Sequence, residues 1–246
     1  MTIGKNFSRL VISTTIAFIF LCSINNVEAQ SPTKNKYGLI VIDNIHDYKN
    51  AVAKDSSAKL VLLTNDVPNL KTDFVYATPQ NFTHSILYHH PKPYALLPVV
   101  QALARVAADL EKQGLGILLF DAYRPYSVTK KMWQIVSDAR YAANPKFGSA
   151  HNRGLAIDIS LYNLHTGAPI PMPTGFDNFS DTAHSCFMQL SDTILNNRKL
   201  LRRAMEKQGF RQLSTEWWHF YLPDFSRKYN LINIPFDTLN EMMMEK

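Results

Sequence analysis

The run Gly116-Ile-Leu-Leu-Phe120 constrains this chain more than any other segment. It has the length of a strand and no polar/apolar alternation, which is the pattern of a strand covered on both faces. Directly before it, Pro98 opens a stretch in which Val99, Leu103, Val106, Ala107 and Leu110 share one side and Gly114 supplies a stop. A helix must therefore lie against that strand's sheet. Ala156-Ile-Asp-Ile-Ser-Leu161 alternates cleanly, with Ile157, Ile159 and Leu161 on one face and Ala156, Asp158 and Ser160 on the other.

The remaining pattern is coarser. Gly38 to Ile42 and Lys59 to Leu63 read as short apolar runs, separated by a charged stretch of loop or short helix. Phe74 to Tyr76 reads as a strand ending in a turn, and Ser127–Arg140 and Leu190–Lys207 read as helices. Leu164 to Asp181, rich in Gly, Pro, Thr and Asp, reads as a long loop or lid. The tail after Pro223 reads as a surface wrap, with Met-Met-Met-Glu-Lys frayed at its end. No repeat is present. The expectation is one α+β domain with a small, mostly antiparallel sheet flanked by helices.

Length and composition permit such a fold without staples, since 246 residues with 46% hydrophobic and 19% charged residues can bury an ordinary core. A net charge of +6 lacks the clustered Lys/Arg blocks of a nucleic-acid binder, so no nucleic-acid partner is expected. Lys5 and Arg9, the apolar stretch from Leu10 to Ile24, and Val27-Glu28-Ala29 have the layout of a secretory signal. Residues 1–29 are expected to be cleaved, leaving a domain over 30–246 that is periplasmic or secreted and not inserted in a membrane. An uncleaved anchor is the alternative. Cys186 then has no intramolecular partner and, with apolar neighbours, is expected to be a buried structural thiol.

Two segments gather metal-ligand chemistry at strand ends. In Ser149-Ala-His151-Asn-Arg-Gly154-Leu-Ala-Ile-Asp158, an unbroken strand would turn His151 and Asp158 to opposite faces, and Gly154 offers the bend that lets both face one point. In Glu216-Trp-Trp-His219, Glu216 and His219 share a direction only if Glu216 precedes the strand or sits at a bulge. Two imidazoles and a carboxylate are what a catalytic zinc takes from a protein, with water in the fourth position. Glu216 is then the spare carboxylate for general base catalysis, and Arg124, leaving the strand in Asp121-Ala-Tyr-Arg-Pro125, could face an oxyanion. Amide hydrolysis fits this set.

The pattern Ser149-x-His151-x-x-Gly154-x-Ala156-x-Asp158, followed by Glu216-x-Trp218-His219, resembles the zinc D-alanyl-D-alanine carboxypeptidase and dipeptidase family. Tyr76-Ala-Thr-Pro-Gln-Asn-Phe-Thr83, Asp121-Ala-Tyr-Arg-Pro125 and Met172-Pro-Thr-Gly-Phe-Asp177 point to its dipeptidase branch. The resemblance implies one zinc ion in a cleft at the sheet, held by His151, Asp158 and His219. It implies Glu216 as catalytic base, Arg124 as the transition-state cation, and Tyr76, Ser149 and Asp177 as residues holding a short substrate, D-alanyl-D-alanine. Asp177 would anchor the free ammonium. His84 stands where the family typically has Gly. His84, His89, His90, His165 and His184 are read as non-ligands, with His184 buttressing the loop of Asp177. The alternatives are the same zinc chemistry on longer D-alanine-ended cell-wall peptides, and a wall-binding module whose zinc is structural.

Overall fold

The core is organised by a helix laid on a strand. The chain enters through β1 (Val41–Ile42), α1 (Ile45–Lys54), β2 (Leu60–Leu62), α2 (Leu63–Asp66), β3 (Leu70–Thr72) and β4 (Tyr94–Leu96) before reaching that pair, α3 (Leu97–Glu111) and β5 (Leu115–Asp121). Then follow α4 (Tyr126–Ile135), β6 (Ala156–Asn163), α5 (Asp192–Lys207), β7 (Arg211–Gln212), β8 (His219–Tyr221), β9 (Leu231–Ile232) and α6 (Phe236–Met244). This computed structural model describes residues 1–2, 4, 34–224 and 227–244. The chain divides into Met1–Ser31 and Pro32–Lys246, and everything below concerns the second unit. The expected signal at 1–29 lies almost wholly outside the described residues. Among those described, no helix is long and apolar enough to cross a membrane.

Helix α3 carries no side-chain cap at its N-terminus but buries Val99, Val100, Ala102, Leu103, Val106, Ala107 and Leu110. A missing cap costs about 1 kcal/mol, whereas each large apolar side chain fully buried contributes about 1.5–3 kcal/mol, so packing decides that this helix forms. Because α3 is the crossover, β3 and β5 pair in parallel; the other pairs of the five-stranded sheet, ordered β3-β5-β6-β8-β7, are antiparallel. The α+β architecture and the mostly antiparallel sheet are as the sequence implied. In β6 the alternation holds, but Ala156 through Tyr162 are all buried, because the second face is covered too. Leu118, Phe120 and Ser160 on that face meet Met172, Phe176 and Trp217 across a hollow beneath the loop after β6.

Four local expectations change. Val75–Ala77 form a 3₁₀ turn rather than a strand end, and the Tyr76 carbonyl accepts from the backbone N–H groups of both Leu87 and Tyr88, which fixes the ring inward. Helix α4 stops at Ile135 instead of Arg140, because Asp138 offers its side chain to the Arg140 N–H and its carbonyl to the Tyr141 N–H in competition with helical bonding. Cys186 is exposed, not buried; only Ala183 of its segment turns inward. The tail is no mere surface wrap, since β9 pairs with β1 and Leu231, Ile232, Ile234, Phe236 and Leu239 are buried. Met242 to Met244 belong to α6 rather than fraying.

Gly154 occupies the left-handed region at φ 68°, and a Cβ there would stand 2.9 Å from Leu60 Cδ2 and 3.2 Å from the Leu96 backbone nitrogen. Gly154→Ala should cost about 2 kcal/mol or more from strain and displaced backbone, lowering Tm by roughly 4–8 °C. Gly175→Ala, which meets nothing within 4 Å, is the control. Equal melting of the two variants would show that the Gly154 turn does not require glycine.

Candidate active site

Register brings three side chains into line. Asp121 on β5 pairs with Asp158 on β6, and Asp158 pairs with His219 on β8. A register shift between Leu119 and Asp121 makes the first pairing possible. His151 reaches the same row from a 3₁₀ turn, His151–Arg153, which ends in left-handed Gly154 as the spacing required. Glu216 sits in the turn before β8, the irregularity that its spacing from His219 demanded.

The donor atoms converge. His151 Nε2 stands 3.3 Å from Asp158 Oδ2 and 3.2 Å from His219 Nδ1, and His219 Nδ1 stands 2.9 Å from Asp158 Oδ1. Bonds of about 2.0–2.1 Å to a tetrahedral zinc separate ligand atoms by roughly 3.3–3.4 Å, so these distances fit one ion with little adjustment. Among the described residues this is the one group of three or more His, Cys, Asp or Glu side chains so placed. His151 Nδ1 lies 2.7 Å from the Ala122 carbonyl, which can only accept; Nδ1–H therefore donates to it, and Nε2 is the nitrogen that faces the cluster.

The electrostatics favour a cation at this point. Burial works against an ionised Asp158, yet the imidazoles of His151 and His219 outweigh it and hold the carboxyl far below its usual range. At His219 burial opposes protonation, and Asp158 overrides it and raises the imidazole. A positive charge among these atoms is stabilised whether a proton or a metal ion brings it. Glu216 Oε2 stands 3.9 Å from His219 Nδ1; burial pushes its carboxyl up, His219 pulls against that, and Asp158 adds to it. The basic form of Glu216 is thereby made a better proton acceptor.

Arg124 is buried and donates two hydrogen bonds to one oxygen, Asp121 Oδ2, from Nε at 2.9 Å and Nη2 at 2.6 Å. Asp121 Oδ1 accepts from the Tyr88 hydroxyl at 2.8 Å and from the Ala122 N–H at 2.9 Å, so the guanidinium is held by a fully bonded carboxylate. Asn152, completely buried, ties the His151 turn down by donating to the Arg124 carbonyl and Thr129 Oγ1 and accepting from the Ser149 N–H. In the sequence, Asp121 and Asn152 stood out only as members of the motifs that contain Arg124 and His151.

The residues assigned to substrate also arrive here. The Tyr76 hydroxyl donates to Asp177 Oδ1 at 3.1 Å, while Asp177 Oδ2 is enclosed with no protein donor. Burial, reinforced by Asp158, raises the Asp177 carboxyl against the pull of Tyr76. Ser149 Oγ accepts from the His151 N–H at 3.2 Å. Tyr76, Arg124, Ser149, His151, Asp158, Asp177, Glu216 and His219 all line one cavity of about 260 Å³. A larger hollow of about 500 Å³ lies under the Phe176–Asp177 segment, but His151, Asp158 and His219 do not line it. His84, His89, His90, His165 and His184 stay outside the cluster; His184 lies 3.9 Å from Asp181 at the end of the Asp177 loop.

Comparison with known proteins shows the family to which the chain is related. The family model Peptidase_M15, described as D-ala-D-ala dipeptidase, matches residues 56–237. D-alanyl-D-alanine dipeptidase of Escherichia coli (strain K12) is 33% identical over 167 residues, covering 68% of this chain and 86% of that protein. The D-alanyl-D-alanine dipeptidase of Enterococcus faecium is 31% identical over 182 residues, covering 64% of this chain and 88% of that protein. A solved Zn(II) complex of the vancomycin-resistance D,D-pentapeptidase VanY aligns only distantly, at 13% identity and a TM-score of 0.37 over 70% of this chain and 90% of that one. On the family match and the extent of its relatives, this chain belongs to the Peptidase_M15 D-Ala-D-Ala dipeptidase family and is a metallopeptidase.

Proposed function

We propose that this protein is an exported zinc dipeptidase that hydrolyses D-alanyl-D-alanine to two molecules of D-alanine. The observation that carries the reading is the His151, Asp158, His219 donor set at zinc-like separations, with Glu216 beside it. The named relatives are D-alanyl-D-alanine dipeptidases, which supports the substrate. The basic, then apolar, then small-residue leader supports export to the periplasm or beyond.

His151, Asp158 and His219 would hold the ion, which when bound supplies Lewis-acid polarisation of a carbonyl and acidifies a water ligand. Glu216 takes the proton from the attacking water and returns it to the departing amine. Arg124, locked on Asp121, donates to the oxygen that gains charge as the amide carbon becomes tetrahedral, and its fixed position spares reorganisation at that moment. Asp177 Oδ2, enclosed and without a donor, receives the substrate ammonium while Tyr76 steadies the other oxygen. An ammonium at that place is what distinguishes a dipeptide from the end of a longer chain.

Three outcomes are expected. Dialysis against a chelator abolishes hydrolysis of the dipeptide and zinc restores it; activity indifferent to chelation removes the mechanism. Glu216→Gln keeps zinc, measured by metal analysis, and lowers kcat by about 10²–10⁴; a loss of both together would make Glu216 a ligand instead. N-acetyl-D-alanyl-D-alanine and D-alanine-ended pentapeptides are not cleaved by the wild type. Rapid cleavage of the pentapeptide would transfer the assignment to a D,D-carboxypeptidase.

A further inference from the structure

A dipeptide is a zwitterion, and the groups described so far account for its ammonium but not for its carboxylate. The following inference rests on the proposed dipeptide substrate. Among the described residues lining the cavity, the permanent cations are Arg124 and Arg140. Arg124 is buried, has its Nε and Nη2 committed to Asp121, and faces the scissile carbonyl in the proposed chemistry. Arg140 stands at the rim, on the segment that leaves α4 early.

Arg140 is held in place rather than loose. Asp138 accepts from its backbone N–H at 2.9 Å, from Nε at 3.1 and 3.0 Å, and from Nη2 at 2.6 Å. A guanidinium has five N–H donors, so Asp138 takes up the Nε side and leaves the end formed by Nη1 and the outer proton of Nη2. That end is the fork that matches a carboxylate with two parallel bonds. The guanidinium carbon lies 5.3 Å from the centre of the Tyr141 ring, and Tyr141 meets Phe179 edge-on at 4.8 Å. Phe179 is two residues from Asp177. The segment carrying Arg140 is thus packed against the segment carrying the ammonium anchor.

We propose that Arg140 binds the C-terminal carboxylate of the substrate and, with Asp177, makes the site a gauge for a free dipeptide. Ser149 Oγ, which accepts from the His151 N–H and keeps its own proton, is a second donor within the same cavity. The plain alternative is a solvated Asp138–Arg140 pair: the Arg140 side chain is 76% exposed, and exposed pairs contribute little to stability. A role in stability and a role in recognition differ in what they do to substrates with and without the charge.

The test compares D-alanyl-D-alanine with D-alanyl-D-alaninamide on the zinc-loaded protein. Arg140→Ala should raise KM for the free acid about 10- to 100-fold with kcat nearly unchanged, and leave the amide kinetics as in the wild type. Arg140→Lys, a point charge without the fork, should recover part of the loss. Equal effects of Arg140→Ala on acid and amide, or no effect, overturn the proposal. Calorimetric binding of the same two compounds to Glu216→Gln and to Glu216→Gln/Arg140→Ala separates this from the reaction itself. Selective loss of affinity for the acid in the double variant upholds Arg140 even if the wild type fails to turn the dipeptide over; absence of such selectivity, or of any binding by the Glu216→Gln parent, overturns it.

Discussion

The site depends on a set of charges that can be buried only together. Asp121 and Asp158, neighbours across β5 and β6, would each be prohibitively costly alone in the sheet interior. Arg124 compensates the first with two bonds to one oxygen, and His151 and His219 compensate the second. His151 serves both carboxylates, lying 3.7 Å from Asp121 Oδ2 through Nδ1 and 3.3 Å from Asp158 Oδ2 through Nε2. Removing any one member strands a charge, so these groups behave as a unit and single substitutions will not add. The same compensation orients the chemistry: the arginine and the donor cluster are fixed before substrate arrives.

Much of this was legible because the relevant signals are local. The alternation in Ala156–Leu161 fixed which side of β6 carries Asp158, and Gly154 marked the bend, since only a residue tolerant of positive φ lets His151 come round to the same face. The Glu216–His219 spacing required an irregularity, and a turn is there. What escaped depends on contacts distant in sequence. Nothing near Asp121 announces that Tyr88 donates to it, and no side chain at Ala122 announces that its carbonyl fixes the His151 tautomer. The tail did carry a readable pattern, Phe236, Leu239 and Met243 at helical spacing, but its burial depends on Tyr88 and Tyr123, whose rings meet Phe236 edge-on at 5.1 and 5.9 Å.

Cys186 and Tyr76 went astray for a shared reason. Each was assigned by the character of its neighbours, which indicates burial only where a regular period forces it. Around Cys186 no period exists, and turn hydrogen bonds such as Phe187 N–H to the His184 carbonyl set the direction of the chain. Around Tyr76 the apolar triplet looked like a strand, but the sheet ends at Asp73, whose N–H bonds the Leu119 carbonyl, and the chain turns inward.

That inward turn bears on how the cleft is held. Tyr76 packs edge-on against Phe82, Tyr88 and Phe176, and Phe176 stacks on Phe120 at 4.7 Å, so an aromatic cluster joins the sheet to the loop carrying Asp177. Asp177 itself sits at φ 56°, unusual for a residue with a side chain and retained only when the surroundings impose it. The clasp imposes it: Phe176 is fixed on one side of Asp177, and Phe179, against Phe82 and Tyr141, on the other. Strain is therefore stored at the carboxylate left with an unbonded oxygen, while the metal-type donors across the cavity rest on regular strand and turn geometry. A rigid sheet presents the metal-type donors, and a clasped loop holds Asp177 in the same cavity.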